Sequence, residues 1–342
     1  MAELQYRPWG DFGWLLNGFE KKSWVALSCV ATEKRSVSSI IELSKYVDWM
    51  SVISIDDPDP MDEATHQQAL EKSRNAVVAA VSCKATFHQD ELKSSLDTIR
   101  ERVEECVLRS PNVVLDVTCF PKRWFFPILR FLYQDSRVRN LVIAYTAGEG
   151  YAEQISENYE LLRPIQTFAS IDARADHDVA FIGVGFHSIS MLTMFGDDRP
   201  KALRLLFPFP PGPPGLKRNW RFVEHIERTM KFADGTVEPF KPLDYLQLSA
   251  TDASQAFDAM RAVSKNGQKT SLMAPYGPKP ISLAMCLFSL AAEARDLPEV
   301  PVYYAQPQRY ATNYTERAVE RHGKLQILGY SVKYEGRQIY QL

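Results

Sequence analysis

A chain of 342 residues, 45% hydrophobic, 24% charged and 11% aromatic, has the make-up of about two globular domains with sizeable cores, which excludes bulk disorder. Forty basic residues against 42 acidic ones leave a formal charge of −2, so no overall basic field drives unspecific nucleic-acid binding, and only a local cationic cleft remains open. Cys29, Cys83, Cys106, Cys119 and Cys286 are odd in number, widely spread and free of any CxxC pair, which speaks against a disulfide framework and for a reducing compartment. Residues 1–7 lack the basic-then-apolar pattern of a signal peptide, and the longest apolar run, residues 281–292, is too short to span a bilayer. The expectation is a cytoplasmic protein with no membrane partner. The six histidines are scattered without ligand spacing, so no metal is expected.

The elements alternate along the chain. Residues 24–30 read as a buried strand, and residues 36–46 as a helix with Val37, Ile40, Ile41 and Leu43 at helical spacing. Residues 49–55 form a second strand, stopped by Asp56-Asp57-Pro58-Asp59-Pro60. A polar helix over 62–74, a third strand over 76–81 and a long amphipathic helix over 90–108 follow. A strand from Val113, a hydrophobic helix to Leu132 and a strand over 140–145 complete the first half.

The second half repeats the grammar. Strands are expected at 179–184, 202–207, 244–248 and 301–304 and from Ser271 before the loop to Pro278-Lys279, with helices from about Ser188, over 220–230 and 253–263, and as a hydrophobic stretch to Leu290. The proline run 208–214 stands where Asp56 to Pro60 stand in the first half, and Lys217-Arg218-Asn219-Trp220 follows it. Apolar strands that alternate with helices predict parallel sheets covered on both faces. Two tandem Rossmann-like lobes are expected, 1–165 and 166–342, with the boundary between Glu153 and Asp178, a stretch that contains the polar run 172–178, and a β-hairpin around Glu335-Gly336 closing the second lobe.

One segment occurs twice. Strand, short loop, Pro-Lys, buried helix, strand and two tyrosines recur with Lys122 and Lys279 157 positions apart, and Tyr145/Tyr304 and Tyr151/Tyr310 both 159 apart. In open parallel sheets ligands bind beyond the carboxyl ends of the strands. Pro121 and Pro278 suit the first turn of a helix, and the lysine after each then faces the positive end of the helix dipole. A bound anion reverses that penalty, so the paired lysines predict a phosphate-bearing ligand. Gly277 offers a close backbone approach, and Tyr145 and Tyr304 at strand ends offer faces for a base or hydroxyls for a phosphate. Thr32-Glu33-Lys34-Arg35 is a further basic turn within reach of phosphate. Gly183-Val184-Gly185 lacks the third glycine of a dinucleotide loop, so no nicotinamide cofactor is expected.

Asp116-Val117-Thr118-Cys119-Phe120-Pro121-Lys122 fits a D/N-x-S/T-x-x-x-R/K pattern at the end of a fourth strand. Here the chain resembles the CARF family, the CRISPR-associated Rossmann-fold domains. The resemblance implies that Asp116, Thr118 and Lys122 face a cyclic oligonucleotide, and that the protein is a nucleotide sensor of a prokaryotic antiviral system whose output passes through a protein partner or a homo-oligomer. The second lobe departs from the pattern, with Met273 and Pro275 at the Asp and Ser/Thr positions and only Lys279 kept. No catalytic base stands out. The alternatives are a two-lobed enzyme acting on a nucleotide or nucleotide-sugar, and a structural subunit whose ligand site has decayed.

Overall fold

In the computed structural model, residues 6–19, 22–56, 63–152, 155–171, 177–185, 200–209 and 243–342 are described. The stretch Asp57 to Pro60, the polar run 172–176, the helix from Ser188, the prolines 210–214, the Lys217-to-Trp220 edge and the helix over 220–230 lie outside the described residues.

The elements run β1 (Trp9–Asp11), α1 (Phe12–Asn17), β2 (Val25–Val30), α2 (Lys34–Leu43), β3 (Trp49–Asp56), α3 (Glu63–Ala80), β4 (Lys84–Glu91), α4 (Leu96–Val107), β5 (Asn112–Asp116), α5 (Lys122–Gln134) and β6 (Asn140–Thr146). Short strands β7 (Gly148–Tyr151), β8 (Ser156–Tyr159) and β9 (Arg163–Pro164) lead to β10 (Val179–Gly183), β11 (Leu203–Phe209) and β12 (Leu243–Ser249). Then come α6 (Ala253–Val263), β13 (Ser271–Pro275), α7 (Lys279–Glu293), β14 (Tyr303–Tyr304), β15 (Pro307–Tyr310) and β16 (Thr315–Ala318). The chain closes with β17 (Glu320–Arg321), β18 (Lys324–Leu325), β19 (Ile327–Tyr334) and β20 (Arg337–Gln338).

Two compact units result: Met1–Tyr159 with Pro307–Ile339, and Glu160–Gln306 with Tyr340–Leu342. In the first, β6, β5, β2, β3 and β4 are parallel neighbours in that order. Numbered from β2, this is the order 3-2-1-4-5 of the doubly wound fold, whose direction of winding reverses between β2 and β5. Antiparallel β19 covers the β6 edge and itself pairs with β1 and β20. The central strands are buried along their whole length, as parallel strands under two helical layers must be. In the second unit β12, β11, β10 and β13 are parallel in the order 3-2-1-4, and Met273 bridges in parallel to Val302 beside a short β14. Both copies of the repeated segment therefore follow the fourth strand of a unit.

The structure corrects three expectations. Residues 76–81 continue α3, because His66, Leu70, Ser73 and Val77 are buried at helical spacing while Val78 is exposed. The third strand is instead the polar edge strand β4, and α4 starts at Ser95, whose Oγ accepts from the Thr98 amide at 3.2 Å. The expected division at 165/166 also changes, since residues 307–339 return to the first unit. The terminal hairpin belongs there because β19 pairs with β6, and its two-residue turn has positive φ at both Glu335 (49°) and Gly336 (81°).

Candidate functional site

The helix starts that are described after parallel strands, those of α2, α4, α5, α6 and α7, lie at the carboxyl edge of their sheets and fall into two kinds. Helices after the edge strands are capped by their own side chains. Ser95 caps α4, with Asp97 in its first turn, and Asp252 Oδ1 accepts from the Gln255 amide at 2.8 Å to cap α6. Among the described helices, those beside a reversal point carry cations and no side-chain cap. α2 starts Lys34-Arg35 behind Glu33, α5 starts Lys122-Arg123 behind Pro121, and α7 starts with Lys279 behind Pro278. The two prolines are N-caps rather than first-turn residues, because their ψ angles of 150° and 158° are extended. This places the lysines at the first helical position, where each cation is disfavoured by about 0.3–1 kcal/mol. Lys122 and Lys279 are half-buried and Lys34 is exposed.

Behind these starts, the first unit holds a buried polar cluster. Arg35, 6% exposed, donates from Nε and one Nη to the two carboxylate oxygens of Glu33 at 2.7 and 3.2 Å. Thr315 Oγ1 donates to Glu33 Oε2 at 2.6 Å, and Cys119 Sγ lies 3.6 Å from Oε1. The Arg35 guanidinium lies 5.8 Å from the centroid of the Tyr314 ring, which meets Tyr151 edge-on. Burial, reinforced by the Glu33 charge, pushes the Cys119 thiol well above its usual range, so it is a poor nucleophile here. Five segments thus converge: the turns after β2 and β5, the end of β6, and the strands β7 and β16.

The residues singled out from sequence divide on inspection. Asp116 and Thr118, expected to face a ligand, are each 1% exposed and serve the protein itself. Asp116 Oδ1 accepts from the Thr118 amide at 3.0 Å and Oδ2 from Ser39 Oγ at 3.2 Å, while Thr118 Oγ1 accepts from the Thr146 amide at 2.9 Å. Burial raises the Asp116 pKa, partly offset by these bonds from Thr118 and Ser39. Both residues shape the loop that presents Lys122. Tyr145 is also buried, in the company of Arg35 and Glu33, and burial raises its hydroxyl pKa. Tyr151 lies in β7 and Tyr310 in β15, so the last tyrosines of the two copies both belong to the first unit.

Gly277 makes a close backbone contact within the protein. A Cβ on it would lie 3.2 Å from Val184 O, and one on Gly185 would lie 1.8 Å from Tyr276 O. The turns after β10 and β13 therefore touch backbone to backbone, and the glycines are needed for that contact. Tyr304 is half-buried with its ring against Tyr276, centroids 5.4 Å apart. Among the described residues, no group of three or more potential metal ligands is present and no helix is long and apolar enough to cross a membrane. Thr315 had no signal in the sequence, because it reaches Glu33 from 282 positions away, and Tyr314 next to it meets Arg35 from as far off.

No protein-family model matches the chain, and no curated protein matches it. Among solved structures, one described as a type III CRISPR defence DNA nuclease activated by cyclic oligoadenylate is similar, with a TM-score of 0.47 at 10% identity. The match covers 78% of this chain and 64% of that one, so it spans just under two-thirds of the other protein.

Proposed function

We propose that the chain is a nucleotide-binding sensor or regulatory protein, and that its first unit holds a phosphate-bearing ligand where the turns after β2 and β5 meet. One observation carries this reading. Among the described residues, the helix starts beside a reversal point, α2 and α5 in the first unit and α7 in the second, are cationic and lack side-chain caps, whereas α4 and α6, after edge strands, satisfy their own termini. An anion at the reversal point sits at the positive end of the α5 dipole beside Lys122, which turns an unfavourable placement of that cation into a favourable one. The motif from Asp116 to Lys122, with its likeness to CARF domains, supports a cyclic oligonucleotide as the ligand and a role in antiviral defence, with a partner protein or a second copy carrying the output. The second unit keeps the lysine, but its two turns occupy each other's space through Gly185 and Gly277. The reading therefore assigns one site per chain.

Thermal shift tests it, with ATP and with linear and cyclic oligoadenylates as probes. At least one probe is expected to raise the melting temperature of the wild type, Lys122→Ala to lose most of that shift, and Lys279→Ala to keep it. If no nucleotide raises the melting temperature the function is refuted. If Lys122→Ala keeps the full shift the site is refuted.

A further inference from the structure

Asp56 ends β3, the strand beside β2 on the side away from β5. The parallel register pairs Val30, the last residue of β2, with Ser54, so Asp56 lies two residues beyond that pair, at the carboxyl end of the strand next to β2. The carboxylate is held in a fixed orientation. Gln89 Nε2 donates to Asp56 Oδ2 at 2.7 Å, and Arg74 Nη1 donates to Gln89 Oε1 at 3.0 Å, which fixes the direction of the Gln89 amide. Oδ1 of Asp56 has no hydrogen-bond partner among the described residues, and the side chain is only half-buried. A relay of two side chains therefore holds, at the carboxyl edge of the sheet, a carboxylate with one oxygen unbonded among the described residues, on the strand next to β2.

We propose that Asp56 is the ribose-binding residue of the nucleotide site, its Oδ1 accepting a hydrogen bond from a ribose hydroxyl. The proposal rests on the nucleotide reading above and names which part of the ligand is recognised. A phosphate anchored at the turn after β2 and the start of α5 carries its sugar through a single ester link, which brings the ribose within reach of the neighbouring strand end. In a 3′,5′-linked oligonucleotide the 2′-hydroxyl is the one left free, and an ionised carboxylate can only accept. Acid residues at the end of the second strand meet ribose hydroxyls in other doubly wound folds for the same geometric reason. Here Asp56 follows the turn containing Arg35 by 21 positions. The site then distinguishes RNA-type from DNA-type ligands, because a 2′-deoxy sugar leaves Oδ1 unpaired.

The test compares binding of an oligoadenylate with its 2′-deoxy counterpart of equal length, by titration calorimetry on the full chain. The wild type is expected to bind the ribo form about tenfold or more tighter, the size of one hydrogen bond to a charged acceptor. Asp56→Ala is expected to weaken the ribo form alone and abolish the difference. Gln89→Leu, which frees the carboxylate from its orienting partner, reduces the difference and guards against a folding defect in the first variant. Equal wild-type affinities for the two forms, or a difference that survives Asp56→Ala, overturn the ribose assignment while the nucleotide function stands. If neither form binds, the function falls and this assignment with it.

Discussion

Replacing Asp116 probes whether this residue shapes its loop or serves as an exposed ligand contact. Its carboxylate is buried and accepts two hydrogen bonds, from the Thr118 amide and the Ser39 hydroxyl. Alanine leaves the buried Thr118 N–H without an acceptor, a loss of about 1–3 kcal/mol. Ser39 loses less, because its oxygen still accepts from Thr146 Oγ1 at 2.9 Å. Asparagine keeps an oxygen for Thr118 and removes a buried charge, so Asp116→Asn is expected to stay within about 1 kcal/mol of the wild type at pH 7. Urea denaturation read by circular dichroism measures both variants, and about 2–4 °C of melting temperature accompanies each kcal/mol in a domain of this size.

The pH dependence supplies an independent check of the same substitution. Because the folded-state pKa of Asp116 is raised, chiefly by burial, the folded protein binds this proton more tightly than the unfolded chain. Its contribution to stability is complete below the unfolded pKa of about 3.9 and is lost as pH rises through the folded value. Asp116→Asn should therefore compare best with the wild type at neutral pH and lose ground on acidification. An alanine variant within 0.5 kcal/mol of wild type, or an asparagine variant as unstable as alanine, would show that the carboxylate does not organise the loop.

Two further outcomes are expected. Glu33→Gln strands the buried Arg35 guanidinium and should lower stability by about 3–5 kcal/mol, whereas Thr315→Val removes one hydroxyl bond and should lower it by about 1–2 kcal/mol; denaturant melts that rank the two the other way contradict the cluster as described. His66 is buried on α3, and burial lowers its pKa, with Asp56 opposing in part. The unfolded chain then takes up that proton first, so stability should fall as pH drops from about 6.5 toward the folded value. His66→Gln should flatten the profile in that window, and an unchanged slope would remove His66 as its cause.

Local chemistry made much of this molecule legible. The alternation of apolar runs with helical segments set two parallel α/β sheets, since a strand buried on both faces has to be apolar throughout, and β2, β5 and β6 are. Pro-Lys after Val117 and after Pro275 marked two helix starts, correct to one residue. The turn at Glu335-Gly336 announced the hairpin, because few sequences tolerate two residues at positive φ. Where local preference was ambiguous, sequence failed: the run from Ala76 to Val81 suits strand and helix alike, and only the packing of Val77 in line with Leu70 and Ser73 made it helix. Asp116 and Thr118 could be seen as a motif, but whether a carboxylate faces water or its own loop depends on what Ser39 and Thr146 do, and neither adjoins it in the chain.

The sequence alone determined the class of fold and the two lysines at the fourth strands, because strand burial and helix starts depend on neighbours a few residues apart. Tertiary structure decided the rest. It returned residues 307–339 to the first unit, brought Thr315 to Glu33 and, among the described residues, left Asp56 Oδ1 without a partner at the end of the strand next to β2. It also filled the second reversal point with Gly185 against Tyr276. These are contacts between segments distant in the chain, and no local preference encodes which of them will meet.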